Sequence, residues 1–256
     1  MILNQKVAIV TGASRGVGAS IAQVLAREGA SVCVNYLNSE DKAVQIVQAI
    51  TDQGGSAFAH RADVTDASEV EAMVAQVIET YGRVDVVVNN ALPAYKFDPA
   101  APHTSIETIK WEGFSQQIDG AIQGAFNLVR AVLPQMKAQR FGKIINISTN
   151  LVYNPVVTYY DYTTAKAGLV GLTRNLAAEL GQYGIRVNLI AGGLLRTTDA
   201  SSVTTDEVFD FVASSTPLRQ TISVEDFAQS VLLFASDWSN AITGQSISVD
   251  GGLTMP

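Results

Sequence analysis

The sequence predicts an α/β fold: one doubly wound parallel sheet of about seven strands with helices on both faces. Short β-branched runs alternate with longer segments of helical period, and the runs are apolar almost throughout rather than at every second position. That is what strands covered on both faces require, and strands spaced by helices imply right-handed crossovers. Length and composition agree. The chain has 256 residues, 47% hydrophobic and 16% charged, enough to form a sizeable core. We expect a single domain over 1–256, without linker or repeat.

The strand runs are Lys6–Val10, Ser31–Asn35, Val84–Val88, Lys143–Ile147 and Ile185–Leu189, with weaker ones at Ser56–His60 and Ser246–Val249. Val17, Ile21, Val24 and Leu25 form one helical stripe. Val44, Ile46, Val47 and Ile50 form another, and Val70, Met73, Val74, Val77 and Ile78 a third. Residues 192–217 interrupt the alternation. Ligands of such sheets bind beyond the carboxyl ends of the strands, so this segment is expected to cover a substrate. Phe209, Phe211 and Val212 within it favour a substrate with an apolar portion.

A net charge of −7 argues against broad binding to nucleic acid or anionic membranes. No apolar run reaches the roughly 18 residues of a membrane span. One cysteine excludes an internal disulfide framework, so a reducing cytoplasm is the expected setting. His60 and His103 are too few to suggest a metal centre. Cys33, inside an apolar strand, reads as a buried small hydrophobe, and Trp111 and Trp238 as packing on helices.

The first strand runs into Thr11-Gly12-Ala13-Ser14-Arg15-Gly16-Val17-Gly18, after which a helical stripe begins. Glycines there let backbone approach a pyrophosphate, and the helix N-terminus offers N–H groups and a positive dipole end. This Rossmann-like turn has the spacing G-x-x-x-G-x-G. An acidic residue closing the second strand would accept from a free ribose 2′-hydroxyl. Here Asn35-Tyr36 stands in its place, and Arg15 is at hand for a 2′-phosphate, favouring NADP(H) over NAD(H).

Tyr162 and Lys166 are four residues apart, on one helical face. A cation at about 5 Å, in an effective dielectric of about 20, favours the phenolate by roughly 3 kcal/mol. That lowers the phenol by about two pK units.

With these features the chain resembles the short-chain dehydrogenase/reductase family over essentially its whole length. The matching stations are Thr11–Gly18, Asp63-Val64, Asn89-Asn90-Ala91, Ser148-Thr149, Tyr162 with Lys166, Thr197, Gly244-Gln245 and Val249–Gly252. The 3-oxoacyl-carrier-protein reductase branch is the most similar. The resemblance implies hydride transfer between nicotinamide and a carbonyl or alcohol, with a 3-oxoacyl thioester as one candidate. It implies Asp63 and Val64 at the adenine, and Asn89 and Ala91 along the cofactor groove. Tyr162 would be the proton donor, Lys166 the ribose anchor and Thr197 the carboxamide contact. It also implies a hydroxyl that polarises the carbonyl, Thr149, with Ser148 as rival; strand alternation favours Thr149. A homotetramer is expected, then a dimer.

Three departures stand out. Thr149 stands where the family usually has Ser. Ala121 occupies the place of the family's catalytic asparagine, which helps hold a relay water. Leu92 and Gly192-Gly193 alter the expected substrate side. Ala121 motivates an alternative, a cofactor-binding regulatory or scaffold protein with weakened catalysis. Arg130, Lys137, Arg140 and Lys143 form a basic cluster: a solvated helix end, or a dock for an acidic acyl carrier protein.

Overall fold

The computed structural model describes residues 1–98, 100–196 and 198–255, His103 by its backbone alone. Its seven strands, among these residues, are β1 Val7–Val10, β2 Ser31–Tyr36, β3 Ser56–Arg61, β4 Val86–Asn89, β5 Gly142–Thr149, β6 Ile185–Gly192 and β7 Ser246–Val249. They form one sheet in the order β3-β2-β1-β4-β5-β6-β7, every pairing parallel. The order reverses between β1 and β4, which opens a crevice at their carboxyl ends.

The helices are α1 Gly16–Arg27, α2 Glu40–Asp52, α3 Ala67–Tyr81, α4 Trp111–Ile118, α5 Gly124–Gln139, α6 Tyr160–Leu180, α7 Asp206–Ser215 and α8 Val224–Ala235. Strand alternation divides the core. Ala8 and Val10 of β1 face a cluster built with Ile21, Val24 and Leu25 of α1, Ile50 of α2 and Phe227, Val231 and Phe234 of α8. Val7 and Ile9 face Val70, Met73 and Val77 of α3, Leu128 and Val132 of α5 and Leu180 of α6. Thus both faces are covered, as the apolar runs require.

Four elements differ from the sequence expectation. β5 and β6 continue through Ser148-Thr149 and Ala191-Gly192, because these residues pair backbone to backbone, whatever their side chains. The helical stretch at Ala121 is a π-helical turn, Asp119–Gln123, joining α4 to α5. The segment 192–217 contains α7, whose first turn carries Asp206 and Glu207 beside the positive end of the helix dipole. Cys33 is fully buried, whereas Trp111 and Trp238 are exposed. No helix among the described residues is long and apolar enough to cross a membrane.

Candidate active site

The glycine turn is locked from three sides. Asn35 Oδ1 accepts from the Gly12 N–H at 3.1 Å, and its carbonyl accepts from the Ala13 N–H at 2.8 Å. The Asn35 amide donates to Ala62 O at 3.0 Å, tying the ends of β2 and β3 to the turn. From β4, Asn90 Nδ2 donates to Thr11 O at 2.9 Å, while Thr11 Oγ1 accepts the N–H groups of Asn90 and Ala91. Gly18 permits this closure: a Cβ there would lie 2.4 Å from Gly12 O. Gly16 has φ +55° and a Cβ there would meet nothing, so the backbone stands open to the cleft. No side chain caps α1. An open cradle below an uncapped helix N-terminus fits a dinucleotide pyrophosphate.

Gly12, Ser14, Arg15, Gly16, Val17, Gly18, Asn35, Tyr36, Asp63, Val64, Ala91, Thr149, Tyr162 and Lys166 all line one cleft of about 920 Å³. Thr197 lies outside the described residues. Asn89 is placed elsewhere: its amide donates to Asn146 Oδ1 at 2.7 Å, and it lines a small separate cavity, while Asn90 faces the cleft. Asn35 borders the cleft, yet its amide is committed to the turn. Past it the wall is Tyr36, Leu37, Asn38 and Ser39, without a carboxylate. Arg15, half exposed, forms a 3.0 Å ion pair with Asp199 of the covering segment. Such an exposed pair is worth about 0–1 kcal/mol, so the guanidinium is readily released to a phosphate.

At the other end Thr149, Tyr162 and Lys166 are buried together. Burial pushes the Tyr162 phenol up to about 12, and the hydrogen bond with Thr149 draws it partly back. Burial pulls Lys166 down to about 8. The electrostatics expected from spacing alone therefore do not govern the phenol. Lys166 Nζ donates to Ile147 O at 2.8 Å, and desolvation outweighs its field. Ser148 Oγ donates to the Lys166 carbonyl at 3.1 Å, which leaves Thr149 as the hydroxyl beside the phenol.

Two further groups hold Tyr162, a carboxylate and an aromatic wall. Buried Asp161 accepts from the Tyr162 N–H at 2.7 Å and from the Tyr95 hydroxyl at 2.9 Å. The Tyr95 ring stacks on Tyr162 at 5.0 Å, and Phe97 meets it edge-on at 5.3 Å. Tyr159 completes the wall. Aromatic composition near the tyrosine was the available signal for Tyr95 and Phe97; Asp161 carried none.

The covering segment supplies Leu194, Leu195, Val203, Val208 and Val212 to the cleft. Arg196 organises it by pairing with Asp206 and Asp210 and lying 4.3 Å over the Phe209 ring. Phe211, by contrast, turns to solvent. Of the basic cluster, Lys143 is withdrawn from the surface and Arg130 and Arg140 are exposed. Lys143 is buried and donates to Ser239 and Asn240, Arg140 binds Gln182 O, and Lys137 lies over Tyr183. Among the described residues no group of His, Cys, Asp or Glu is arranged to hold a metal ion.

Residues 12–254 match the family model described as enoyl-(acyl carrier protein) reductase. The 3-oxoacyl-[acyl-carrier-protein] reductase FabG of Staphylococcus aureus is 40% identical over 252 residues, 98% of each chain. The 3-oxoacyl-[acyl-carrier-protein] reductase of Synechocystis is 35% identical over 256 residues, 99% of this chain and 98% of that one. Among solved structures, gluconate 5-dehydrogenase from Burkholderia cenocepacia in complex with NADP and tartrate superposes with a TM-score of 0.88. It is 29% identical and covers 98% of this chain and 96% of its own.

Proposed function

The chain belongs to the short-chain dehydrogenase/reductase family, and we propose that it is an NADP(H)-dependent reductase of carbonyl compounds, with a 3-oxoacyl thioester as the leading substrate. One observation carries the proposal: a single cleft joins the uncapped glycine turn to the buried group Thr149, Tyr162 and Lys166. When bound, the nicotinamide supplies hydride chemistry.

The chain's own residues do the rest. Gly12 to Gly18 receive the pyrophosphate, Arg15 the 2′-phosphate, and Asp63 and Val64 border the adenine. The carbonyl oxygen is held between the Thr149 hydroxyl and the Tyr162 phenol. With its pKa raised to about 12, Tyr162 stays in its proton-donating form at neutral pH. It gives that proton to the oxygen as negative charge develops there. Lys166 holds the ribose side, and the covering segment 192–217 excludes water with its apolar residues. Arg15 and Lys166 are the only Arg or Lys side chains among the described lining residues, which supports an uncharged reacting end.

Relatives named for acyl-carrier-protein substrates support such a protein as a partner. Buried Lys143 is unavailable to it, while Arg130 and Arg140 are exposed. Exposed Trp111 and Phe126, on α4 and α5, support assembly into a homotetramer through that face.

The test is NADPH oxidation across a panel of ketones and 3-oxoacyl thioesters. Tyr162→Phe is expected to lower kcat by about 10²–10⁴ while cofactor binding persists. Cofactor binding with no Tyr162-dependent turnover across the panel would overturn the proposal in favour of a binding or scaffold role.

A further inference from the structure

Tyr95 lies in the loop that follows β4, and its ring is held on several sides. Its hydroxyl donates to Asp161 Oδ1 at 2.9 Å, and its face stacks on Tyr162 with ring centres 5.0 Å apart and planes inclined by 27°. Tyr159 and Phe97 meet it edge-on at 6.0 and 5.6 Å. All four rings border the cleft. Burial and the facing carboxylate push the Tyr95 phenol well up, so it stays a hydrogen-bond donor at neutral pH.

The neighbour of the proton donor fixes this arrangement. Asp161 is 4% exposed and stands in the first turn of α6, beside the positive end of the helix dipole. The same Oδ1 accepts from the Tyr162 N–H at 2.7 Å, so one oxygen ties the loop ring to the backbone that carries the phenol. A Cβ at Gly113 would lie 3.5 Å from Oδ2, which places α4 over the other oxygen. A hydrogen bond to a carboxylate outweighs a stacked aromatic pair. Asp161, rather than stacking alone, therefore decides where the Tyr95 ring sits.

The face that Tyr95 and Phe97 turn to a substrate is apolar. The polar atom of Tyr95 is spent on Asp161, and Phe97 has only its ring. The Phe97 N–H donates to Ala200 O at 2.9 Å, joining the aromatic loop to the apolar covering segment. The two form one enclosure beside Tyr162. A thioester bound to a carrier must leave the cleft, so the enclosure receives the group on the other side of the reacting carbonyl. A hydroxyl on that group would give up its water against ring faces.

We propose that Tyr95, positioned by Asp161, determines specificity: it selects ketones whose group beside the carbonyl, on the side away from the thioester, is alkyl or aryl, and rejects those hydroxylated there. Asp161 is a positioning residue that acts through Tyr95. This rests on the reductase reading and names the substrate class within it.

The test compares a 3-oxoacyl thioester with its analogue carrying one hydroxyl on the chain carbon next to the reacting carbonyl. Wild type should prefer the first by about 10²-fold in kcat/KM, the discrimination an apolar pocket reaches against a single hydroxyl. Tyr95→Ala should reduce that ratio to below about tenfold. Asp161→Ala and Tyr95→Phe break the same bond from either side and should lower the ratio alike. Asp161→Asn keeps an acceptor oxygen and should retain the wild-type ratio. A purely structural role for Asp161 would slow both compounds equally, so an unchanged ratio in Tyr95→Ala or Asp161→Ala overturns the proposal. If Asp161→Ala does not fold, Tyr95→Phe decides in its place. If wild type turns over neither compound, the reductase reading fails. Calorimetry of the same pair with the NADP⁺ complex then decides the wall: tighter binding of the unhydroxylated compound upholds it, and equal affinity or no binding of either overturns it.

Discussion

The two ends of the sheet treat buried polar groups in opposite ways. At the amino end two buried charged groups are well partnered. Asp85, wholly buried, accepts from the Val7 N–H at 3.0 Å and takes a two-pronged contact from Arg83 at 2.6 and 2.7 Å. Buried Lys143 donates to Ser239 and Asn240. At the carboxyl end the hydrogen bonds that build the glycine turn are equally complete, but several groups keep capacity in reserve. The N-terminus of α1 is uncapped, Arg15 holds only an exposed ion pair, and Asn89 Oδ1 has no partner. The lesson is that saturation marks scaffold, whereas unspent donors and acceptors mark where a ligand is expected.

The contrast can be broken at several points. The largest effect is expected from Asp85→Ala, which leaves Arg83 and the Val7 N–H without their acceptor at the amino end. Loss of a buried ion-pair partner costs about 3–5 kcal/mol, and the half-exposed Arg83 puts this case near the lower figure. Denaturant unfolding should show that loss, while NADPH affinity of the folded variant stays unchanged; a neutral result would remove Asp85 from the scaffold. Next is Gly18→Ala, whose Cβ would press on Gly12 O and Asn90 Nδ2. A cost of about 1–3 kcal/mol is expected from such overpacking. Cofactor affinity should fall with it, because the turn must shift; unchanged NADPH binding would show that the turn is not the cradle.

Arg15→Ala should weaken NADPH about tenfold, on the scale of a hydrogen bond to a charged group, and leave NADH nearly unaffected. Parallel titrations with both cofactors measure this, and equal weakening would contradict the 2′-phosphate assignment. The smallest effect concerns Lys143, whose pKa burial lowers from 10.5 to about 8 in the folded chain. Between those values the unfolded chain binds a proton that the native chain does not, so rising pH favours folding across this window. Relative to Lys143→Met, the wild-type melting temperature should climb from pH 8 towards 10.5. Parallel curves would mean that Lys143 stays charged when buried.

Much of the fold was legible because β-branched runs and helical stripes are strong signals, and the sheet's centre lies where they predict. Strand ends were less legible: Ser148, Thr149, Ala191 and Gly192 extend the ladder through backbone pairing, which leaves no hydrophobic trace. The helix in the covering segment was hidden for a related reason. Val208, Phe209, Phe211 and Val212 read as apolar, but they divide between cleft, core and solvent rather than forming one face.

In the site, the spacing of the glycines and of Tyr162 and Lys166 identifies residues that do border one cleft. The sign of the Tyr162 shift was not accessible from spacing, since burial decides it and burial is a property of the whole fold. The division of labour in Asn89-Asn90 was equally hidden. Adjacent side chains leave a strand end in different directions, and only the packing shows which one faces the cleft.

The most direct measurement is the position of the nicotinamide in a crystal of the NADP⁺-saturated protein. The ring should lie within reach of the Tyr162 hydroxyl and Thr149, with the adenosine end near Arg15. A dinucleotide bound elsewhere, or a phenol turned away from it at saturation, would contradict the account.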